Sequence, residues 1–280
     1  MRWLLMLCAL VVVGYVALIS VYLILSGLPA IREIGLRNFL FGTVWTPTNS
    51  NNAQFGILPM ILTSLYGTIA AALLGVPVGV FSAVYLSKLA PRRVAVMLRP
   101  AVSLLAGIPS VVYGLVGMLV LVPALRSALS LPAGDSLLAA VIVLAVMILP
   151  SVISVSDTAL NAVPREYEEG SLALGATKAE TWFRVSLRAA RSGLSAAIVL
   201  GVGRAIGEAM AVLMVAGNVA NMPSLLTSVR FLTTGIAAEM NYAAPDSLQR
   251  KALFSIGLVL FSFIILINML LQVILRRRKE

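Results

Sequence analysis

Apolar residues along the chain gather into six long runs, at about 3–26, 58–86, 97–124, 137–155, 192–217 and 252–275. A helix rises 1.5 Å per residue, so roughly 20 apolar residues cross the ~30 Å hydrocarbon core of a bilayer. Each run is therefore predicted to be a membrane-spanning helix. The runs are continuous, unlike the ten-residue alternating segments of a membrane β-barrel. Two polar connectors, about 27–57 and 219–250, separate runs one from two and five from six. The first contains the turn-rich stretch TVWTPTNSNNAQFG. No repeat of 20–50 residues is visible. The expectation is an all-α integral membrane protein with one membrane domain.

Composition agrees. Mean hydropathy is +1.01 and 11% of residues are charged, whereas a soluble domain has about 25%. The N-terminal stretch from Trp3 to Leu25 exceeds the 7–15 apolar residues of a signal peptide. It is expected to be a retained first helix. The chain has no histidine, and its one cysteine, Cys8, sits in that run. These facts exclude a His/Cys metal site and a disulfide framework.

The net charge of +10 does not point to nucleic acid, because the cations flank the apolar runs. With the N-terminus inside, the inner segments hold Arg2; Lys88, Arg92, Arg93 and Arg99; Arg165, Lys178, Arg184, Arg188 and Arg191; and Arg276, Arg277, Arg278 and Lys279. The outer segments hold Arg32, Arg37, Arg126, Arg230, Arg250 and Lys251. That split, 14 against 6 of the 21 cations, predicts both termini in the cytoplasm. Pro77, Pro109 and Pro150 fall within runs two, three and four. Each is expected to kink its helix, whether for packing or to shape a pathway.

One soluble island interrupts the oily pattern: EYEEGSLALGATKAETWFRVSLRAA, residues 166–190. Gly170 to Lys178 has glycines spaced as in a phosphate-binding loop. Ala176 and Thr177 then intervene where that loop needs Gly-Lys-Ser/Thr at once, so nucleotide binding is rejected. Glu166, Glu168 and Glu169 have no nucleophile or metal-ligand set beside them and read as a solvated helix face. The island is expected to fold as helix–turn–helix. Residues 165–174 make one helix after Pro164, Gly175 turns the chain, and Thr177 caps a second helix with Glu180 as reciprocal partner. Leu172, Leu174, Trp182 and Phe183 are available to face a partner.

A second constellation lies deep in run five: Gly203, Arg204, Gly207 and Glu208. A charge at mid-membrane costs about 2.5–3.5 kcal/mol on insertion scales, so it faces a cavity or a partner. On a continuous helix Arg204 and Glu208 share a face. Gly203 and Gly207 form a small-xxx-small pair suited to close helix packing. Two readings stand: a structural ion pair, or an anion path using the guanidinium fork.

The island resembles the cytoplasmic coupling loop of ABC-importer permeases, Glu-Ala-Ala, three residues, Gly, nine residues, Ile-x-Leu-Pro. Here Glu169-Gly170-Ser171 precedes Gly175, and Val185-Ser186-Leu187-Arg188 follows, with Arg188 in place of the proline. GRAIGEAMAVLMVAGN, LLAGIPSVVYGLVG, TVWTPTNSNNAQFGILPMILTSLYGT and KALFSIGLVLFSFIILIN resemble phosphate-importer permeases of the PstC type. The sister PstA type continues Thr-Ala-Pro where this chain has Ala209-Met210-Ala211.

The resemblance implies a type I ABC importer permease fold in a bacterial inner membrane. Its divisions are a first helix and outer connector at 1–57, a transmembrane domain at 58–275 with the coupling loop at 160–190, and a basic tail at 276–280. It implies no catalytic residue in this chain. ATP and Mg would be held by two partner ATPases (PstB type), beside a second permease (PstA type) and an extracytoplasmic phosphate-binding protein (PstS type). It assigns Glu169, Gly170, Ser171, Gly175, Ala176, Thr177, Val185 and Leu187 to ATPase coupling, and Arg204 and Glu208 to the substrate pathway. The sister permease, a sulfate or molybdate permease, a scaffold for phosphate signalling and a stand-alone secondary carrier are the alternatives. The coupling loop and the missing inverted repeat argue against the last.

Overall fold

Small residues decide how the long helices meet. The computed structural model describes residues 1–49 and 51–277, with side chains through Val273, so the basic tail expected at 276–280 lies outside its described side chains. The chain opens with α1 (Arg2–Ile34), α2 (Leu36–Phe41) and a two-residue hairpin, β1 (Trp45–Thr46) and β2 (Gln54–Phe55). In the hairpin Trp45 pairs with Phe55 and Thr46 with Gln54. Next come α3 (Leu58–Val84), a π-helical turn Tyr85–Leu89, and α4 (Arg92–Ala106). α5 (Ser110–Val116), a second π turn Gly117–Leu121 and α6 (Val122–Ala128) form one crossing, followed by α7 (Leu137–Asn161).

The island carries α8 (Arg165–Ala173), α9 (Lys178–Glu180), a third π turn Thr181–Ser186 and α10 (Leu187–Ala189). α11 (Arg191–Gly207), α12 (Met210–Val215), α13 (Leu232–Glu239) and α14 (Leu248–Arg277) complete the chain. Among the described residues five helical stretches are long and apolar enough to cross a membrane uninterrupted, and Lys178–Ala189 with Arg191–Gly207 adds a bent pair.

α7 is the hub, with Leu144, Met147, Ile148 and Val152 fully buried. A Cβ added at Gly75 or Gly79 of α3 would come within 2.7 Å of Ile148 or Val152, and one at Gly201 of α11 within 2.7 Å of Val152. Lipid is as apolar as leucine, so membrane helices associate through such close packing rather than through hydrophobic burial. α1 packs on α14 only near its C-terminal end, where Gly27 abuts the Ser255 backbone and its carbonyl accepts the Ser255 hydroxyl at 2.6 Å. The rest of α1, Cys8 included, is exposed.

Two smaller cores close the ends of the bundle. Phe39, Ile57, Met60, Leu232, Leu253 and Ile256 fill the hairpin end. Ala83, Val84, Leu86, Leu160, Val163 and Ala190 fill the island end.

Two expected spans are corrected. The run at 97–124 is not one helix. α4 stops at Ala106, and the crossing restarts at Ser110 with Pro109 as its N-cap, at φ −57° and ψ 138°. Pro109 therefore starts a helix instead of kinking one, while Pro77 and Pro150 do lie inside α3 and α7. The run at 192–217 is also interrupted. α11 leaves the Lys178–Ala189 segment at 72° and ends at Gly207, and α12 resumes at Met210.

Candidate transport pathway and coupling site

The island is built by local signals. Pro164 is the N-cap of α8, with Glu166 and Glu168 in its first turn, where the helix dipole favours carboxylates. Gly175 sits at φ 86°, in the left-handed region. Its N–H reaches the Leu172 carbonyl at 3.0 Å, and the Ala176 N–H reaches Ser171 at 3.2 Å. This is a Schellman ending, which needs a residue free to take positive φ. The Thr177 hydroxyl then accepts from the Glu180 N–H, and the Glu180 carboxylate accepts from the Thr177 N–H at 3.0 Å, forming a capping box. The Thr177 N–H and, at 2.9 Å, the Thr177 hydroxyl both donate to the Glu180 carboxylate and hold it below its ordinary range.

The Ser171 and Thr181 hydroxyls lie 2.9 Å apart and tie α8 to the third π turn. Val185 and Leu187 are half-buried, while Glu169 and Gly170 are exposed. Leu172, Leu174 and Phe183 form an exposed apolar crest; Trp182 is half-buried. Glu168 departs from the solvated face expected for it. Its carboxylate meets Lys88 Nζ at 2.6 Å and accepts the Ser186 hydroxyl at 2.8 Å. Burial pushes this carboxyl up, but hydrogen bonds from Lys88 and Ser186 and the charges of Lys88 and Arg165 outweigh it and leave it low.

Arg204 lies about 20 Å along α11 from Arg191 at 1.5 Å per residue. It shares a stripe with Leu200, Gly203 and Gly207, at i, i+3, i+4 and i+7 spacing. Val202, Ala205 and Ile206, on the other side of α11, are buried against the bundle. Leu200 and Gly207 are exposed and Arg204 is half-buried. Arg204 makes no hydrogen bond or ion pair among the described residues.

The shared helical face expected for Arg204 and Glu208 is absent. Glu208 is extended, at φ −73° and ψ 125°, just beyond the end of α11. Its carboxylate accepts the Ala211 N–H at 3.0 Å, capping α12, and its carbonyl accepts the Thr233 hydroxyl at 2.8 Å. These bonds satisfy backbone groups that a helix break would otherwise leave bare in a membrane.

Gly203 and Gly207 are likewise not the packing pair within this chain. A Cβ at either would meet nothing within 4 Å. The close contacts belong to Gly75, Gly79 and Gly201 instead.

Sequence reasoning missed a polar knot at the hairpin end. The Glu239 carboxylate accepts Trp45 Nε1 at 3.0 Å and Gln249 Nε2 at 3.1 Å and pairs with Arg230. Arg230 Nε also donates to the Asn218 carbonyl at 2.8 Å. The knot joins β1, α13, α14 and the segment after α12. Its members are far apart in sequence, and no spacing signals them.

Residues 75–280 match the family described as the inner membrane component of binding-protein-dependent transport systems. The chain belongs to this family. Over 97% of its length it is 40% identical to a probable ABC transporter permease, YqgH, of Bacillus subtilis, covering 89% of that protein. It is 31% identical to the phosphate transport system permease PstC of Haemophilus influenzae, over 97% of this chain and 91% of the relative. It is 34% identical to PstC 2 of Mycobacterium tuberculosis, over 90% and 84%. Among solved structures, the MetNI methionine ABC transporter in an inward-facing conformation matches 79% of this chain and 95% of its own, with TM-score 0.63 and 19% identity. That likeness is one of fold, the type I importer permease. The chain is thus a multi-pass inner-membrane permease of the ABC class, a family that works with ATPase and substrate-binding partners.

Proposed function

We propose that this permease is the PstC-type subunit of an ATP-driven importer of inorganic phosphate. The observation that carries the reading is Arg204, half-buried at mid-span on a stripe with Leu200, Gly203 and Gly207, with no hydrogen bond or ion pair among the described residues. Lipid is a poor neighbour for a guanidinium, so the stripe faces a second permease across a hydrated path. The guanidinium fork suits phosphate oxygens, and relatives named as phosphate permeases supply the substrate. Glu208 acts on that path indirectly, by capping α12 and fixing the break beside Arg204.

In this reading both termini are cytoplasmic. The crest of Leu172, Leu174 and Phe183 docks one of two PstB-type ATPases, which hold ATP and Mg. A PstA-type permease completes the path, and a PstS-type protein delivers phosphate. This chain itself carries no catalytic group. Uptake of labelled phosphate by vesicles holding the assembled complex tests the proposal. Uptake that needs ATP inside and resists excess sulfate supports it. Competition by sulfate or molybdate at equal concentration would reassign the substrate, and transport by this chain alone would remove the ABC mechanism.

A further inference from the structure

The island is attached covalently to α7 and α11, but α3 also reaches it. α3 ends in the π turn Tyr85–Leu89, which places Lys88 beside α8. Lys88 Nζ meets Glu168 Oε1 at 2.6 Å with the two side chains only 12% and 21% exposed. The same carboxylate oxygen accepts the Ser186 hydroxyl from the third π turn at 2.8 Å. One carboxylate thus joins three segments: the end of α3, α8 and the far half of the island. Among the described residues this is the one ion pair that leaves the island for another part of the chain.

Its surroundings are stiff on the α3 side. Leu86, in the same π turn as Lys88, is buried in the island-end core with Val84, Leu160 and Ala190. Ser87 donates to Asn161 Oδ1 at 3.2 Å. Asn161 in turn donates to the Asp157 carboxylate, which a two-pronged Arg99 holds from α4. Further along, α3 is locked against α7 through Gly75 and Gly79, and α7 against α11 through Gly201. A push on α8 through Glu168 therefore reaches α3 without passing through the helix breaks at Pro164 and Ala190. A mostly buried charge pair is strongly destabilised by losing one partner, so the link stays closed while the island moves. π turns are common at functional sites in helices, and here two of them flank the same carboxylate.

We infer that Lys88 and Glu168 form a latch that gears movement of the ATPase-docking island to α3. They are positioning residues for transport and do not touch the substrate. The inference rests on the island docking the ATPase, as proposed above. It goes beyond the coupling assignment: Lys88 lies outside the 160–190 loop, and Glu168, though inside it, is not among the residues assigned to coupling.

The test uses the full complex in vesicles, read as phosphate taken up per ATP hydrolysed. Lys88→Met is expected to lower that ratio at least about fivefold, the low end of a typical coupling energy, while hydrolysis continues. Lys88→Arg keeps the charge and is expected to keep most of the ratio. The Lys88→Glu/Glu168→Lys exchange is expected to recover it above Lys88→Met. A cysteine at Leu174, in a Cys8→Ser chain, reports docking by cross-linking to the ATPase in every variant. An unchanged ratio in Lys88→Met with the cross-link intact would overturn the latch alone. Loss of the cross-link in Lys88→Met would also overturn it, by making the pair a folding element of the island. No cross-link in the parent complex would overturn the docking reading and the latch with it.

Discussion

Arg204 and Glu208 stand four residues apart yet do not pair: the helix ends between them, and Glu208 turns its carboxylate to the Ala211 N–H at 3.0 Å. This geometry separates the two roles that the sequence leaves joined. Glu208 spends its charge on a helix terminus, where a carboxylate is favoured. Arg204 has no hydrogen bond or ion pair among the described residues. The predicted consequence is asymmetric. Glu208→Gln retains a side-chain oxygen for the cap and should transport at a reduced rate, whereas Glu208→Ala should lose the cap and most uptake. Uptake per assembled complex measures both, and equal losses in the two would deny the capping role.

Gly175 gives a second prediction. At φ 86° with no heavy atom within 4 Å of an added Cβ, the only penalty for substitution is backbone strain. For a β-branched residue that strain is about 1–3 kcal/mol, while asparagine tolerates the left-handed region. Gly175→Val should therefore weaken ATPase association or uncouple hydrolysis from uptake, with normal membrane insertion. Gly175→Asn should stay close to the parent. Co-purification of the ATPase with each variant separates them, and parent-like behaviour of the valine variant would remove the turn from coupling.

Acid should loosen the island. The Glu168 carboxyl is held below its ordinary 4.5. A depressed value means the folded state binds its proton less readily than the unfolded state. Its stabilising contribution is full above about 4.5 and fades as pH falls through the lower folded value. Lys88→Met removes the main counter-charge, so the carboxyl should titrate at higher pH and its pH-dependent contribution to stability should shrink. A carbon-13 titration of the Glu168 carboxyl reads this directly. The same midpoint in both proteins would mean that Lys88 does not set it.

Sidedness follows from the cations. Cysteines placed at Asn51 and Leu225 in a Cys8→Ser chain should react with an impermeant thiol reagent from outside intact cells, and cysteines at Ala90 and Lys178 should not. The basis is the excess of Lys and Arg on the island side. External labelling at Lys178 would invert the topology and end the docking assignment.

Local rules made the island legible. The proline start, the glycine turn and the Thr177–Glu180 box each act within a few residues, so the sequence alone carries them. The long uninterrupted crossings were legible for a similar reason, since length and apolarity suffice. The break after Gly207 was not, because apolar residues continue on both sides and the Thr233 hydroxyl that helps hold it comes from a distant segment. Glycine spacing also misled. Gly203 and Gly207 have the same separation as Gly75 and Gly79, yet among the described residues the second pair packs against a neighbouring helix and the first does not. The split of the third run was readable in principle, as Gly107 and Pro109 punctuate it. Lys88 and Glu168 meet only through tertiary packing, which no local pattern encodes.

Phosphate uptake per assembled complex in Arg204 variants tests the pathway most directly. Arg204→Ala should abolish uptake while leaving complex abundance unchanged, because the guanidinium has no hydrogen bond or ion pair among the described residues. Arg204→Lys should be partly active, since lysine keeps the charge and loses the fork. The Arg204→Glu/Glu208→Arg exchange should stay inactive, because the two residues form no pair that an exchange could restore. Full uptake per complex in Arg204→Ala, or rescue by the exchange, would contradict a pathway role for Arg204.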